Sequence, residues 1–113
     1  MEVRPLTVRN YVAADKGCPF EDWLSSLKDL TAAAQIDKRI TRLRLGLLGE
    51  CDAVGEGVTE LIFKNTGPGY RIYCGRHGQD LIILLGGGTK RSQQSDIENA
   101  RERWRDYLEE NNA

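Results

Sequence analysis

Five consecutive apolar residues, Leu81-Ile82-Ile83-Leu84-Leu85, run directly into Gly86-Gly87-Gly88 and follow Gly78-Gln79-Asp80. A short apolar run bounded by turn formers reads as a strand near the centre of a sheet, here residues 80–85, with the glycines at 86–88 ending the sheet. It is also the longest apolar run of the chain. A bilayer needs about 20 such residues, so no segment reads as a membrane span.

The apolar period changes along the sequence. Residues 2–9 alternate loosely and read as a strand, placed at a sheet edge because Pro5 has no N–H for a ladder. Pro19 suits a first helical turn, and Phe20, Trp23, Leu24 and Leu27 recur at helical spacing. Residues 29–31 break that stripe. Residues 32–48 read as a second helix with Ile36, Ile40, Leu43 and Leu47 on one face and Gly49 as its C-terminal cap. So short a break predicts an antiparallel helical hairpin. After Gly57 the pattern becomes extended. Residues 58–64 and 70–74 read as strands, with turns at 65–69 and 75–79. Ser95-x-x-Glu98 has the form of a capping box opening a last helix, whose stripe is Ile97, Ala100, Trp104 and Leu108. The predicted architecture is α+β in the order β-α-α-β-β-β-α, a small antiparallel sheet with helices packed on one face.

Composition narrows the class. The 113 residues, 40% hydrophobic and 29% charged, suit a single globular domain spanning 1–113 rather than a disordered chain. The start, MEVRPLTVRN, lacks the apolar core of a secretory signal, so a cytoplasmic protein is expected. Three spaced cysteines without a C-x-x-C pair predict neither a disulfide framework nor a metal site, and nothing calls for a cofactor. The net charge of -1 argues against a free-standing nucleic-acid binder, but the charge is uneven. Residues 57–91 hold Lys64, Arg71, Arg76, Lys90 and Arg91 against Glu60 and Asp80 alone, whereas the tail beyond is acidic.

That basic centre supplies the candidate chemistry. In Tyr70-Arg71-Ile72-Tyr73-Cys74 the alternation sends Tyr70, Ile72 and Cys74 to the core and Arg71 and Tyr73 to an open face, fit to bind a phosphate and a nucleotide. Lys64 ends the preceding strand and Lys90 follows the last one, so Lys64, Arg71 and Lys90 can converge if the register allows. Clustered cations depress one another's pKa, which would prepare a lysine for proton transfer beside an arginine that stabilises charge. Such a set can cleave RNA by attack of the 2′-hydroxyl on its own phosphodiester, without metal. Arg91, Arg76 and His77, and Arg39 and Arg42 on the outer face of the second helix, are the further candidates for RNA contact.

The ordered set Gly57-Val58-x-Glu60-Leu61, Gly67-Pro68-Gly69-Tyr70-Arg71-Ile72-Tyr73, Leu84-Leu85-Gly86-Gly87-Gly88-Thr89-Lys90, Gln93 or Gln94, and Asp96-Ile97-x-x-Ala100 resembles the RelE/ParE superfamily, most closely its HigB-like branch. Phe20-x-x-Trp23-Leu24 and the stretch from Arg42-Leu43 to Gly49 resemble it too. The resemblance implies a RelE-like fold and a type II toxin neutralised by a cognate antitoxin. It further implies cleavage of mRNA in the ribosomal A site, with Arg71 and Lys90 on the family's basic positions and Tyr73 on the same strand motif. It implies an arginine where this chain has Ile62, and Lys64, two residues on, is the candidate replacement. Alternatives on the same fold are a ParE-like inhibitor of DNA gyrase and a degenerate toxin that only binds its antitoxin.

Overall fold

The protein is described from a computed structural model covering residues 3–64 and 66–111. Its elements are β1 (Thr7–Asn10), α1 (Pro19–Ser26), α2 (Leu30–Arg44), β2 (Cys51–Ala53), β3 (Val58–Ile62), β4 (Arg71–His77), β5 (Leu81–Gly88) and α3 (Gln93–Asn111), the last preceded by a 3-10 turn over Lys90–Ser92. The fold class is α+β. The sheet has five strands in the order β1-β5-β4-β3-β2. Strands β2 to β5 form an antiparallel meander, but β1 lies parallel to β5 with Thr7 opposite Leu81, so the sheet is mixed rather than antiparallel. β1 is an edge strand as expected. It starts after Pro5, and residue 2 of the expected strand lies outside the described residues.

Helices cover both faces, not one. On the first face Phe20 of α1 and Ile36, Ile40 and Leu43 of α2 pack on Leu61, Ile72, Cys74, Ile82 and Leu84. On the second, Ala100 and Trp104 of α3 pack on Val58, Tyr73, Ile83 and Leu85. This explains why β5 is apolar at every residue from 81 to 85: alternate side chains feed two cores. α1 rests on β5 and α2 on β1, and a cleft of about 420 Å³ lies between them, lined by Phe20, Leu24, Asp37 and Ile40 among others.

Local chemistry sets the boundaries. Asp29 accepts hydrogen bonds from the N–H groups of Thr31 (3.0 Å) and Ala32 (3.2 Å) and so opens α2 earlier than the apolar stripe suggests. The helix ends at Arg44, where Gly46, at φ +88°, turns the chain with its N–H on Leu43 O; Gly49 lies beyond the cap. The expected turn at 75–79 shrinks to its last residues, because Gly75 continues β4 beneath the Trp104 indole and a Cβ there would lie 2.4 Å from the ring. The glycines at 86–88 likewise extend β5 instead of ending the sheet. Leu85 is an extra residue between Tyr73↔Gly86 and Cys74↔Leu84, a bulge held by Arg103 Nη1 donating to Leu85 O at 2.9 Å. Trp23 then lies against Gly87, where a Cβ would come within 2.3 Å of its ring. α3 begins at Gln93, two residues before the expected capping box, and Ser95 Oγ donates to Ser92 O inside the helix. Among the described residues no helix is long and apolar enough to cross a membrane.

Candidate functional site

The antiparallel register places Glu60 opposite Tyr73 and Ile62 opposite Arg71, with Glu60, Arg71 and Tyr73 on the face that α3 covers. Glu60 is 2% exposed and sits at the hub of a polar network. Its Oε2 accepts from the Tyr73 hydroxyl at 3.1 Å and from Gln93 Nε2 at 2.9 Å, and lies 3.4 Å from Arg71 Nε. Burying a carboxylate this deeply is tolerable only because a cation and two donors face it. The Arg71 side chain is 13% exposed. Its Nη1 donates to Gly69 O at 2.7 Å, while its Nε makes no hydrogen bond among the described residues.

The turn at 66–69 brings a second cation to the first; Asn65, the start of the predicted turn, lies outside the described residues. Thr66 Oγ1 accepts from Tyr70 N–H, and Gly69 N–H donates to Thr66 O. The Lys90 N–H donates to Pro68 O at 3.1 Å. Gly69, at φ +71°, is wedged between them: a Cβ there would lie 3.0 Å from Arg71 Nη1 and 3.2 Å from Lys90 Cβ. Arg71 and Lys90 thus meet around one glycine at the end of the sheet, and Lys90 and Arg91 are exposed beside the start of α3. The Asp96 carboxylate accepts from Ser92 Oγ at 2.5 Å and packs on Gly88, the residue paired with Arg71.

Other candidates lie elsewhere. Tyr73 is 1% exposed rather than on an open face, because α3 covers it. Burial and then the neighbouring Glu60 charge push its hydroxyl well above the usual phenol range, so at neutral pH it is a fixed hydrogen-bond donor. Lys64 pairs with Glu50 at 2.7 Å and lines a groove with Arg42. The hydrogen bond it donates to Glu50 raises its pKa, the opposite of the depression expected from clustered cations. Arg39 clamps the end of α2 to the sheet, donating to the carbonyls of Leu48, Glu50 and Ile62 and lying 4.9 Å over the Phe63 ring. Arg42 remains exposed. Arg76, exposed, binds Gln79 O across the β4–β5 turn. It stands five residues along β4 from Arg71, a separation of about 17 Å at strand rise. His77 is half-buried, not a free turn residue: its Nδ1 lies 3.0 Å from the Tyr107 hydroxyl, ring edge to face.

A concavity of about 1030 Å³ opens between the β1–α1 loop and α3. Asp15, Asp22, Asp96, Glu102, Asp106 and Glu109 outnumber Arg103 and Arg105 on its walls, so it repels phosphate and is not the anion site. Tyr11 lines it and donates to Asp106. Burial and that bond raise the Tyr11 pKa to about 12. Burial raises the Cys74 thiol likewise, from 9.0 to about 12. Both groups are acids whose folded pKa exceeds the unfolded one, so the native state holds more protons at alkaline pH and stability falls as pH rises. Urea midpoints are expected to fall progressively from pH 9 to 12, with the Tyr11 share setting in above pH 10 and absent in Tyr11→Phe.

Sequence reasoning gives Glu60, Gln93 and Asp96 no role beyond their places in the motif. The available signal was register: an acidic residue opposite Tyr73 on a face that α3's own apolar stripe must cover. No protein-family model matches the chain, and no solved structure matches it. An uncharacterized protein of Haemophilus influenzae is 44% identical over 82 residues, which span 73% of this chain and 82% of that protein.

Proposed function

The chain belongs to one family with that Haemophilus influenzae protein, and from this premise we propose that it is the toxin of a type II toxin-antitoxin pair, a HigB-like member of the RelE/ParE superfamily that cleaves mRNA on the ribosome. The observation that carries the reading is the meeting of Arg71 and Lys90 at Gly69, with Arg91 beside them. The Glu60–Arg71–Tyr73–Gln93 network holds the guanidinium at a fixed place where a phosphodiester can lie between Arg71 and the exposed Lys90. The 2′-oxygen of the RNA forms a bond to phosphorus, its proton passes to water, and the bond from phosphorus to the 5′-oxygen breaks. Arg71 stabilises the charge on the phosphoryl oxygens, and Lys90 protonates the leaving oxygen. Tyr73 acts as a positioning residue through Glu60. No metal enters these steps. A cognate antitoxin would hold the protein inactive in the cytoplasm.

A second reading is supported by the same ion pair. Glu60 neutralises much of the Arg71 charge and Lys64 is paired with Glu50, as suits a ParE-like gyrase inhibitor or a degenerate toxin without nuclease activity. Primer extension on a reporter mRNA after brief induction separates the readings. Cuts inside the translated region are expected for the wild type and absent for Arg71→Ala and Lys90→Ala. Growth arrest without cuts would transfer the proposal to gyrase, and neither cuts nor arrest would leave the degenerate toxin.

A further inference from the structure

On the face of the sheet opposite the Glu60 network, α2 and the end of β3 enclose a groove of about 250 Å³ lined by Gln35, Lys38, Arg39, Arg42, Phe63, Lys64 and Thr66. Four of these side chains are cationic and none is acidic. Lys38 and Arg42 stand one helical turn apart and are both exposed. Arg39 forms the back wall, its guanidinium fixed by the carbonyls of Leu48, Ile62 and Glu50 and stacked on Phe63. The opposing charge is Glu50, which reaches Lys64 from outside the groove at 2.7 Å. Thr66 closes the groove and begins the turn whose other end, Gly69, touches Arg71 and Lys90. One chain segment thus has a cationic groove at its start and the candidate cleavage site at its end.

We propose that the groove of Lys38, Arg42, Lys64 and Phe63 is a separate subsite for the phosphate backbone of single-stranded RNA, which crosses the 66–69 turn between this groove and Arg71. The proposal rests on the ribonuclease reading for its ligand class. Lys38 and Arg42 supply exposed charges for successive phosphates, the Arg39 guanidinium stacked on Phe63 forms the wall behind them, and Lys64 exchanges Glu50 for phosphate when RNA arrives. This assigns Lys64 to RNA binding rather than to catalysis.

The test is fluorescence anisotropy of a short labelled 2′-O-methyl RNA, which cannot be cut, titrated with the full chain at several salt concentrations. Each lost phosphate contact lowers the slope of log affinity against log salt by about 0.7, so the slope of Lys38→Ala/Arg42→Ala is expected to be about 1.4 shallower than wild type. Glu50→Gln, which releases Lys64, is expected to bind RNA more tightly. An unchanged slope in the double variant, no RNA binding by the wild type, or equal competition by polyglutamate of matched charge would each overturn the subsite, the last in favour of an acidic protein. A shallower slope with uncut mRNA in cells would keep the subsite and reject the nuclease.

Discussion

Glu60→Ala is expected to destabilise the protein by roughly 3 kcal/mol, as removing one partner of a buried ion pair does. The substitution leaves the 13%-exposed Arg71 guanidinium without its counter-charge and deprives the Tyr73 hydroxyl and the Gln93 amide of their acceptor. Glu60→Gln keeps an acceptor oxygen at the same place and loses only the charge, so its cost should be clearly smaller. Urea denaturation of the two variants beside wild type checks this. A loss below about 1 kcal/mol in the alanine variant would mean that Arg71 is solvated and needs no partner, and the fixed guanidinium of the proposed site would go with it.

Trp104→Ala carries the other large effect, about 4 kcal/mol, the scale for truncating a buried aromatic side chain. Trp104 is 4% exposed, stacks on Tyr107 with ring centres 5.3 Å apart, and fills the space above Gly75. It joins α3 to β3, β4 and β5. Domains of this size have stabilities of about 5–15 kcal/mol, so the variant should be marginally folded at room temperature. If α3 lay off the sheet, the same substitution would cost under about 1 kcal/mol. Thermal melting followed by circular dichroism distinguishes the two.

The helical stripes and the three long strands are legible in the sequence because their apolar periods are regular: Phe20, Trp23, Leu24 and Leu27 for α1, Ile36, Ile40 and Leu43 for α2, and residues 81–85 for β5. β2 is not legible, since Cys51-Asp52-Ala53 has no strand pattern and is ordered only by pairing with β3. The parallel pairing of β1 depends on where the helical excursion returns the chain, which no local pattern encodes. Tyr73 was misplaced for a physical reason that the sequence does contain. A strand apolar at five successive positions needs cover on both sides, and α3's stripe is the cover for the second. Places at strand ends suggest that Lys64, Arg71 and Lys90 can converge, but the register brings only Arg71 and Lys90 to Gly69, while Lys64 pairs with Glu50. Arg39 and His77 were not understood, because a cation bound to carbonyls and a histidine bound to a tyrosine look in sequence like solvated residues.

The central claim is that Arg71 and Lys90 together cleave RNA through its own 2′-hydroxyl, and the chemistry of the cut ends tests it most directly. Reporter mRNA recovered from translating ribosomes treated with the purified protein should carry 5′-hydroxyl and 2′,3′-cyclic phosphate ends, and Lys90→Ala should slow their formation by about a hundredfold or more, the usual contribution of a general acid. Ends bearing 5′-phosphate, or cleavage at the wild-type rate by Lys90→Ala, would contradict the account.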